Sequence, residues 1–251
     1  MRGNMAAHTC EKNSGKKLPR RFYSSVTAEK RNTGWCILLD GRPLLTPQKQ
    51  LISLPSKLLA FEIVKEWDAQ RDVIDPAAMP ITCLVNTGID MLIVKATEVR
   101  DEIVRFADCD LLCYRVEHPQ GLVERQNTAW NGALAWLSRS YSVHLQIVNG
   151  VMPFSQPVSE LNKFRALLDD VCGLELTALH VVVTLTGSAV LGFGVLDGEI
   201  TPKDAWTASQ VDEDWQIMQW GINSELELKR QLRWAEFKAA TEVMKYIRGC
   251  E

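Results

Sequence analysis

The stretch Ile37-Leu38-Leu39-Asp40-Gly41-Arg42-Pro43-Leu44-Leu45 decides how the chain begins to fold. An Asp-Gly pair between two apolar runs supplies the positive φ angles of a tight type I′ turn, so the two runs are predicted to pair as an antiparallel hairpin. Because Pro43 has no amide hydrogen to donate, the second strand is expected at an edge of the sheet. A small antiparallel sheet is therefore predicted in the N-terminal part of the chain.

Elements on both sides of this hairpin complete a predicted N-terminal domain. A strand-like run at 22–27 precedes the turn Asn32-Thr33-Gly34, which leads into the run at 35–39. Beyond the hairpin, Pro55 opens an amphipathic helix that is predicted to pack on the sheet. The residues on its apolar face are Leu59, Ile63 and Trp67.

The proline-rich stretch 74–80 is the predicted domain boundary, because strand signals give way there to helical spacing. The expected fold class is α+β. Residues 18–78 are predicted to form a small antiparallel β-meander with a packed helix, and residues 79–251 a mainly all-α domain. The basic segment 1–17 is predicted to be a disordered tail, with a mitochondrial presequence as the alternative.

Helical spacing in the second half predicts helices at 96–107, 122–142 and 158–171, with candidate strands at 111–114 and 143–148. Two more helices are predicted from their capping signals. Their proposed buried stripes are Ala208, Val211, Trp215 and Met218 in a helix from Thr201 to Gly221, and Leu228, Leu232, Ala235 and Ala239 in a helix that opens with the capping box Ser224-x-x-Glu227.

The stretch 176–196 carries no full charge and is about as long as a membrane-spanning helix. Three features argue against a membrane span. His180 and several hydroxyl side chains interrupt the stretch, and residues 181–184 are three valines and a threonine, which favour strands. No flanking basic residues set an orientation across a membrane. These features favour one buried central helix over a membrane span. The glycines at 192 and 194 are interpreted as allowing close helix approach, since no phosphate-loop motif surrounds them.

Composition excludes several classes of partner. With 28 basic and 31 acidic side chains the net charge is −3, so no positive field exists to attract nucleic acid. An apolar fraction of 46% is enough for a core. The protein is expected to be a soluble monomer. The seven cysteines lack any Cys-x-x-Cys pair, which argues for a reducing compartment and against a zinc site.

No catalytic or cofactor-binding constellation emerges from the sequence. The four histidines are far apart, Cys109 and Cys113 have no histidine at ligand spacing, and no serine lies in a nucleophile elbow. No cofactor and no metal are expected. The alternative that stays open is a small-molecule enzyme that uses Cys113, Arg115 or His180 in a cleft between the two domains; a membrane-associated scaffold built on 176–196 is a third hypothesis.

The most unusual patch is Asp212-Glu213-Asp214-Trp215-Gln216-Ile217-Met218-Gln219-Trp220-Gly221. Three consecutive acids on a helix point in three directions, so at most some of them can be paired within the chain. One interpretation is a solvated face with Trp215 in the core; the other is a binding patch, because carboxylates beside tryptophans are typical anchors of protein interfaces.

Motifs over nearly the whole chain resemble those of the assembly chaperones for the α subunit of F-type ATP synthase, found in mitochondria and related bacteria. The motifs that carry the resemblance are Arg21-Phe22-Tyr23 with Leu39-Asp40-Gly41-Arg42-Pro43-Leu44-x-Thr46-Pro47, Glu66-Trp67-Asp68-Ala69-Gln70, Asp110-Leu111-Leu112-Cys113-Tyr114-Arg115 leading to Leu122-Val123-Glu124-Arg125-Gln126, and Glu213-x-Trp215-Gln216-Ile217-x-x-Trp220-Gly221. After Gly221 the chain reads Ile222-Asn223-Ser224, where many relatives carry further acids.

The resemblance implies a chaperone, not an enzyme, that binds the free α subunit and prevents its aggregation until it meets the β subunit. It implies the cytoplasm of a bacterium or, alternatively, the mitochondrial matrix. It also implies an acid in the last motif as a functional residue, and Glu213 is the first choice. The residues expected to contact the client are Asp212, Glu213, Asp214, Gln219 and Trp220.

Overall fold

The computed structural model describes residues 18–150 and 152–249, except for the side chains of residues 92–94. The predicted tail at 1–17 lies outside the described residues. Contacts group the chain into two compact units. Within the described residues the first unit comprises 18–96, 173–178 and 242–249, and the second comprises 97–172 and 179–241. The boundary at 74–80 stays a prediction.

The first unit contains a small antiparallel sheet in which the second strand is central. Its strands are β1 (Val26–Arg31), β2 (Gly34–Leu39), β3 (Arg42–Pro43) and β4 (Ser53–Leu54), with β1, β3 and β4 each paired to β2. Asp40 and Gly41 have φ angles of 48° and 78°, as the type I′ turn requires. β1 begins later than the predicted run at 22–27, because the amides of Ser24 and Ser25 donate to the Asp40 carboxylate instead of to a neighbouring strand.

Helix α1 (Lys57–Asp68) packs its buried residues on this sheet, as predicted. It begins two residues after Pro55, because the Ser56 hydroxyl accepts a hydrogen bond from the Leu59 amide and caps the first turn. Trp67 is half-buried, with its ring 5.5 Å from that of Tyr23, whose hydroxyl donates to the Trp67 carbonyl. The α+β fold class is therefore confirmed.

Helix α2 (Pro80–Asp108) is far longer than the helix predicted at 96–107. Its N-terminus is capped from outside the helix, since the Glu66 carboxylate accepts hydrogen bonds from the amides of Ile81 and Thr82 at 2.8 and 2.7 Å. Gly88 lies within this helix at a position where a Cβ would stand 2.6 Å from Leu174, so the lack of a side chain permits close packing.

The rest of the described chain is mainly helical. Its elements are β5 (Tyr114–Arg115), α3 (Gln120–Tyr141), β6 (Val148–Asn149), α4 (Val158–Leu167), α5 (Gly173–Thr186), α6 (Ala189–Leu196), α7 (Pro202–Ser209), α8 (Val211–Trp220) and α9 (Ser224–Arg248). The candidate strands at 111–114 and 143–148 shrink to the two-residue parallel pair of β5 and β6. Leu111–Cys113 forms a 3-10 turn instead, because the Asp110 carboxylate accepts from the Leu112 amide and caps it.

The single central helix predicted at 176–196 is wrong, because the stretch forms two helices. Gly187, with φ of 69°, ends α5, and the Ser188 hydroxyl caps α6. Within the described residues, no helix combines the length and the apolar character that a membrane crossing needs. The glycines of α6 do permit close approach: a Cβ on Gly192 would stand 2.5 Å from Val183, and one on Gly194 would stand 2.4 Å from Ile200.

The helix predicted from Thr201 to Gly221 is also two helices. Thr201 caps α7 and Pro202 occupies its first turn, as predicted, but the backbone leaves helical geometry at Gln210. The stripe that was expected to run from Ala208 to Met218 is therefore interrupted, and Met218 is exposed.

Helix α9 begins at Ser224 as predicted, although its cap is Asn223, whose side-chain oxygen accepts from the Leu226 amide. The predicted buried stripe is wrong at three of its four residues: Leu228, Leu232 and Ala235 are exposed, and only Ala239 is buried.

Candidate functional site

The three consecutive acids lie in the first turn of α8. No side chain caps this helix, so its first amide groups have no local acceptor from a capping residue. Carboxylates near a helix N-terminus are stabilised by the helix dipole. The acids therefore have a local structural role, whatever else they do.

Helix α3 holds the start of α8 in place. Asp212 accepts a hydrogen bond from the Gln126 side-chain amide nitrogen at 2.8 Å, and the Gln126 side-chain oxygen Oε1 accepts from the Val116 backbone amide. Trp215 packs beside Gly121, where a Cβ would stand 3.0 Å from the indole, and the Arg125 guanidinium lies 5.3 Å from the Trp215 ring centre. Trp215 is thus half-buried on α3 instead of lying in the core.

Helix α9 supplies partners for the other two acids. Arg230 forms a close ion pair with Asp214, with 2.6 Å between nitrogen and oxygen. Arg233 approaches Glu213 only to 3.9 Å, because its guanidinium also donates to the Leu185 carbonyl and lies over the Trp206 ring. All three acids have an internal partner, contrary to the expectation, and Glu213 has the loosest one.

The last turn of α8 is exposed and apolar. The Trp220 side chain is 80% exposed, and Met218 and Ile222 are exposed as well. Gln219 lies between Met218 and Trp220 and is also exposed. Monomeric proteins expose single apolar residues commonly, but a tryptophan with two large apolar neighbours is typical of an interaction surface.

The five predicted contact residues therefore fall into two sets. Asp212 and Asp214 are held by Gln126 and Arg230 and fix α8 to its neighbours. Gln219 and Trp220 are exposed, and Glu213 lies between the two sets with a loose ion pair. We call Glu213, Met218, Gln219, Trp220 and Ile222 the α8 surface.

Comparison with known proteins agrees with the motifs. A family model described as ATP12 chaperone protein matches residues 20–138. The Atu1473 protein of Agrobacterium tumefaciens is 39% identical, covering 91% of this chain and 86% of its own, with a TM-score of 0.87. Atp12 from Paracoccus denitrificans is 37% identical, covering 92% of this chain and 99% of its own, with a TM-score of 0.86. The chain belongs to the ATP12 chaperone family.

Membership of the ATP12 chaperone family makes the protein a chaperone of ATP synthase assembly. A mitochondrial relative, atp12 of Schizosaccharomyces pombe, is 26% identical over 214 residues, which cover 80% of this chain and 74% of the relative. The relatives therefore include both bacterial and mitochondrial proteins.

The residues of the enzyme hypothesis have structural partners in this ATP12 chaperone. Cys113 is buried, and burial raises the pKa of its thiol, which is the opposite of what a nucleophile needs. Arg115 donates to the Leu112 carbonyl and lies 4.9 Å from the Trp130 ring centre. His180 is 3.0 Å from the Glu102 carboxylate. These contacts describe packing and pairing, so they favour no reaction.

The remaining cysteines and histidines do not form a metal site among the described residues. Cys109 follows the last residue of α2 and Cys113 lies in the 3-10 turn, so the two do not share a helical face. The thiols of Cys36, Cys109, Cys113 and Cys172 are free.

Proposed function

We propose that this chaperone binds the free α subunit of the ATP synthase catalytic head and prevents its aggregation until the β subunit arrives. An unassembled subunit exposes a large apolar interface, and such surfaces aggregate unless they are covered. The chaperone must also dissociate from the client. Reversible binding favours a chaperone surface that is partly polar, with a few strong anchor residues, over a wholly apolar one.

The exposed Trp220 is the observation that carries this proposal. Tryptophan is the residue type most enriched among interface anchors, because its ring buries a large area with few rotatable bonds. Trp220 ends α8 beside exposed Met218 and Ile222, and Glu213 on the same helix has only a loose internal partner. Together these residues offer an apolar anchor with a carboxylate that an arginine or lysine of the client can bind.

The same proposal specifies how and where the protein works. It acts as a monomer, by binding alone, without catalysing a reaction and without a cofactor. It works in the compartment where the catalytic head is assembled, the bacterial cytoplasm or the mitochondrial matrix. Release follows when the β subunit competes for the covered surface of the client.

The test is an aggregation assay with isolated ATP synthase α subunit in the absence of ATP. The wild-type chain is expected to suppress light scattering at an equimolar ratio. Trp220→Ala is expected to weaken α-subunit binding by roughly 2 kcal/mol, because an exposed anchor is truncated, and to leave the melting temperature unchanged.

The matched control is Phe22→Ala, which truncates another exposed aromatic residue, in the first unit. It is expected to leave suppression intact. Absence of suppression by the wild-type chain would refute the client assignment, and equal activity of wild type and Trp220→Ala would refute the α8 surface as the binding site.

A further inference from the structure

The N-terminal half of α9 carries an apolar stripe that nothing covers within the described residues. Leu228 is 57% exposed and Leu232 41% exposed, and Ala235, one turn further on, is exposed too. The spacing of four and three residues places all three on one face of the helix. We call these three residues the α9 stripe.

This face is opposite to the one that holds α9 to its own unit. Arg230 and Arg233 make the ion pairs with α8, and Phe237 is fully buried against the rings of Trp206 and Trp234. Successive helical residues are about 100° apart, so Leu228 and Ala235 lie roughly half a turn away from Arg230 and Phe237. The stripe is therefore bare because of where it lies, and not because α9 is loosely packed.

The same line of residues is covered further along the helix. Ala239, which continues the line one turn after Ala235, is only 4% exposed. An apolar line that is buried in one half of a helix and bare in the other is typical of a helix whose packing partner is another molecule. The bare part runs from Leu228 to Ala235, eight residues that span about 10 Å along the helix axis, or roughly two helical turns.

Glu236, at the edge of the α9 stripe, favours a binding partner that brings a positive charge. It follows Leu232 by one helical turn, is half-buried, and makes no hydrogen bond or ion pair within the described part of the chain. Burial raises the pKa of this carboxyl group, and the positive charge of Arg233, which makes no direct contact with it, lowers the pKa by a smaller amount. A cation brought to this position would relieve the cost of a desolvated carboxylate that has no close partner.

The occupant that fits this face is a helix. An extended segment gains affinity by adding to the edge of a sheet, and the backbone groups of α9 are already hydrogen-bonded within the helix. A helix can instead pack its apolar ridge along Leu228 and Leu232, with the small Ala235 allowing close approach of the two axes.

A second copy of this chain fits the charge requirement poorly. The basic residues on this stretch of α9 already have partners: Lys229 pairs with Glu225 at 2.6 Å, Arg230 with Asp214, and Arg233 with the Leu185 carbonyl and Glu213, and Lys238 has an interaction within the chain as well. Two stripes facing each other would bring carboxylates together without adding a cation from this stretch. A different protein can supply the cation without bringing in a second carboxylate.

We propose that the α9 stripe docks an amphipathic helix of the client, with an apolar face at i, i+4, i+7 spacing and a lysine or arginine that pairs with Glu236. The inference rests on the proposed α-subunit client, since it names the element of that client and places it on α9, beyond the α8 surface.

The test begins with the full-length chain and isolated ATP synthase α subunit as the probe. The double substitution Leu228→Gln with Leu232→Gln is expected to weaken binding about tenfold or more, because both side chains lose apolar contact with the client. Glu236→Gln is expected to weaken binding severalfold and to reduce its dependence on salt. Since all three side chains are at least partly exposed, the melting temperatures are expected to change little.

The matched control is Leu58→Gln, which changes a leucine that is 60% exposed on α1 of the first unit, and no loss of binding is expected. A photo-reactive residue at position 232 identifies the occupant. Cross-linking to a client helix that carries a basic residue supports the proposal; cross-linking to an extended client segment or to a second copy overturns it.

The two proposals fail in different ways. If the wild-type chain does not bind the α subunit at all, the proposed function fails. If the wild type binds and the double leucine variant binds equally well, the client assignment stands and the docking of a client helix on the α9 stripe is refuted.

Discussion

Helices α6 and α8 are both short helices of the second unit, with 8 and 10 residues, but they differ in how much of each helix is buried. In α6 every residue except Val195 is buried, whereas in α8 only Val211 is. α6 has a capping side chain at its N-terminus and two glycines that let neighbours approach; α8 has neither a side-chain cap nor a glycine before Gly221, and it carries three acids in its first turn.

This contrast assigns different consequences to substitutions in the two helices. Changes in α6 act on close packing and on buried hydrogen bonds, which dominate the free energy of unfolding. Changes in the exposed part of α8 remove few internal contacts, so they act on binding. Stability and binding are expected to separate cleanly between the two helices, and the experiments below test that separation from its largest effect to its smallest.

The largest effect is expected from Asp110, a fully buried residue that accepts hydrogen bonds from the amides of Leu112 and Val190 at the start of α6. Burial raises the pKa of this carboxyl group from 3.8 to about 6. Between these values the folded protein binds a proton that the unfolded chain does not, so this residue adds stability as the pH falls from 7 to 4. The difference is about 3 kcal/mol.

Asp110→Asn removes this titration while keeping one acceptor oxygen. Urea unfolding at pH 4, 5.5 and 7 is expected to show wild type gaining about 3 kcal/mol over the variant on acidification. Parallel pH profiles of the two proteins would show that the carboxyl group is not titrating in the folded state, and the role of Asp110 as a buried, partly protonated cap would be wrong.

The next effect is expected from Gly192→Ala in α6. The new methyl group would stand 2.5 Å from Val183 and 3.3 Å from Leu179, so neighbouring side chains must move and the free energy of unfolding is expected to fall by about 1 to 3 kcal/mol. The matched control is Gly132→Ala in α3, where nothing lies within 4 Å of the new atom and a gain of roughly 0.5 to 1 kcal/mol is expected. Melting temperatures that shift in the same direction in both variants would contradict the packing role of Gly192.

The parts of the fold that were predictable from sequence depend on local chemistry. The hairpin at Asp40-Gly41 follows from backbone conformations that few residues adopt, and the cap at Thr201 follows from a hydroxyl and a proline at fixed spacing. The break between α7 and α8 at Gln210 has no such signal, because glutamine is a good helix former. Tertiary contacts mark it instead: the Trp130 indole donates to the Ala208 carbonyl at 2.7 Å, and α8 is held on α3 through Gln126 and Trp215.

The error over Leu228 and Leu232 has a different cause. An apolar stripe in a helix has the same spacing whether its own chain or another protein covers it, so periodicity alone cannot distinguish the two. A motif that identifies the family also does not say whether its residues stabilise the fold or contact the client. Glu66 and Asp110 cap helices or turns, and Asp40 accepts hydrogen bonds from two amides, so these three residues stabilise local structure. Of the four, only Gln126 contacts α8.

The smallest effect on stability is expected from Glu213→Lys in α8. The substitution removes a loose ion pair with Arg233, 3.9 Å apart, and places a positive charge in the first turn of the helix, near Arg233. Exposed pairs and helix-dipole interactions of this kind contribute about 1 kcal/mol or less, so the melting temperature is expected to fall by only about 2 to 4 °C.

Binding of the α subunit is expected to weaken far more than stability, because the client cation that Glu213 attracts would now be repelled. Glu213→Gln, which removes the charge without reversing it, is expected to give an intermediate loss. A melting temperature that collapses in Glu213→Lys would make Glu213 a structural residue like Asp110. The contrast between a stability helix and a binding helix would then not hold for α8.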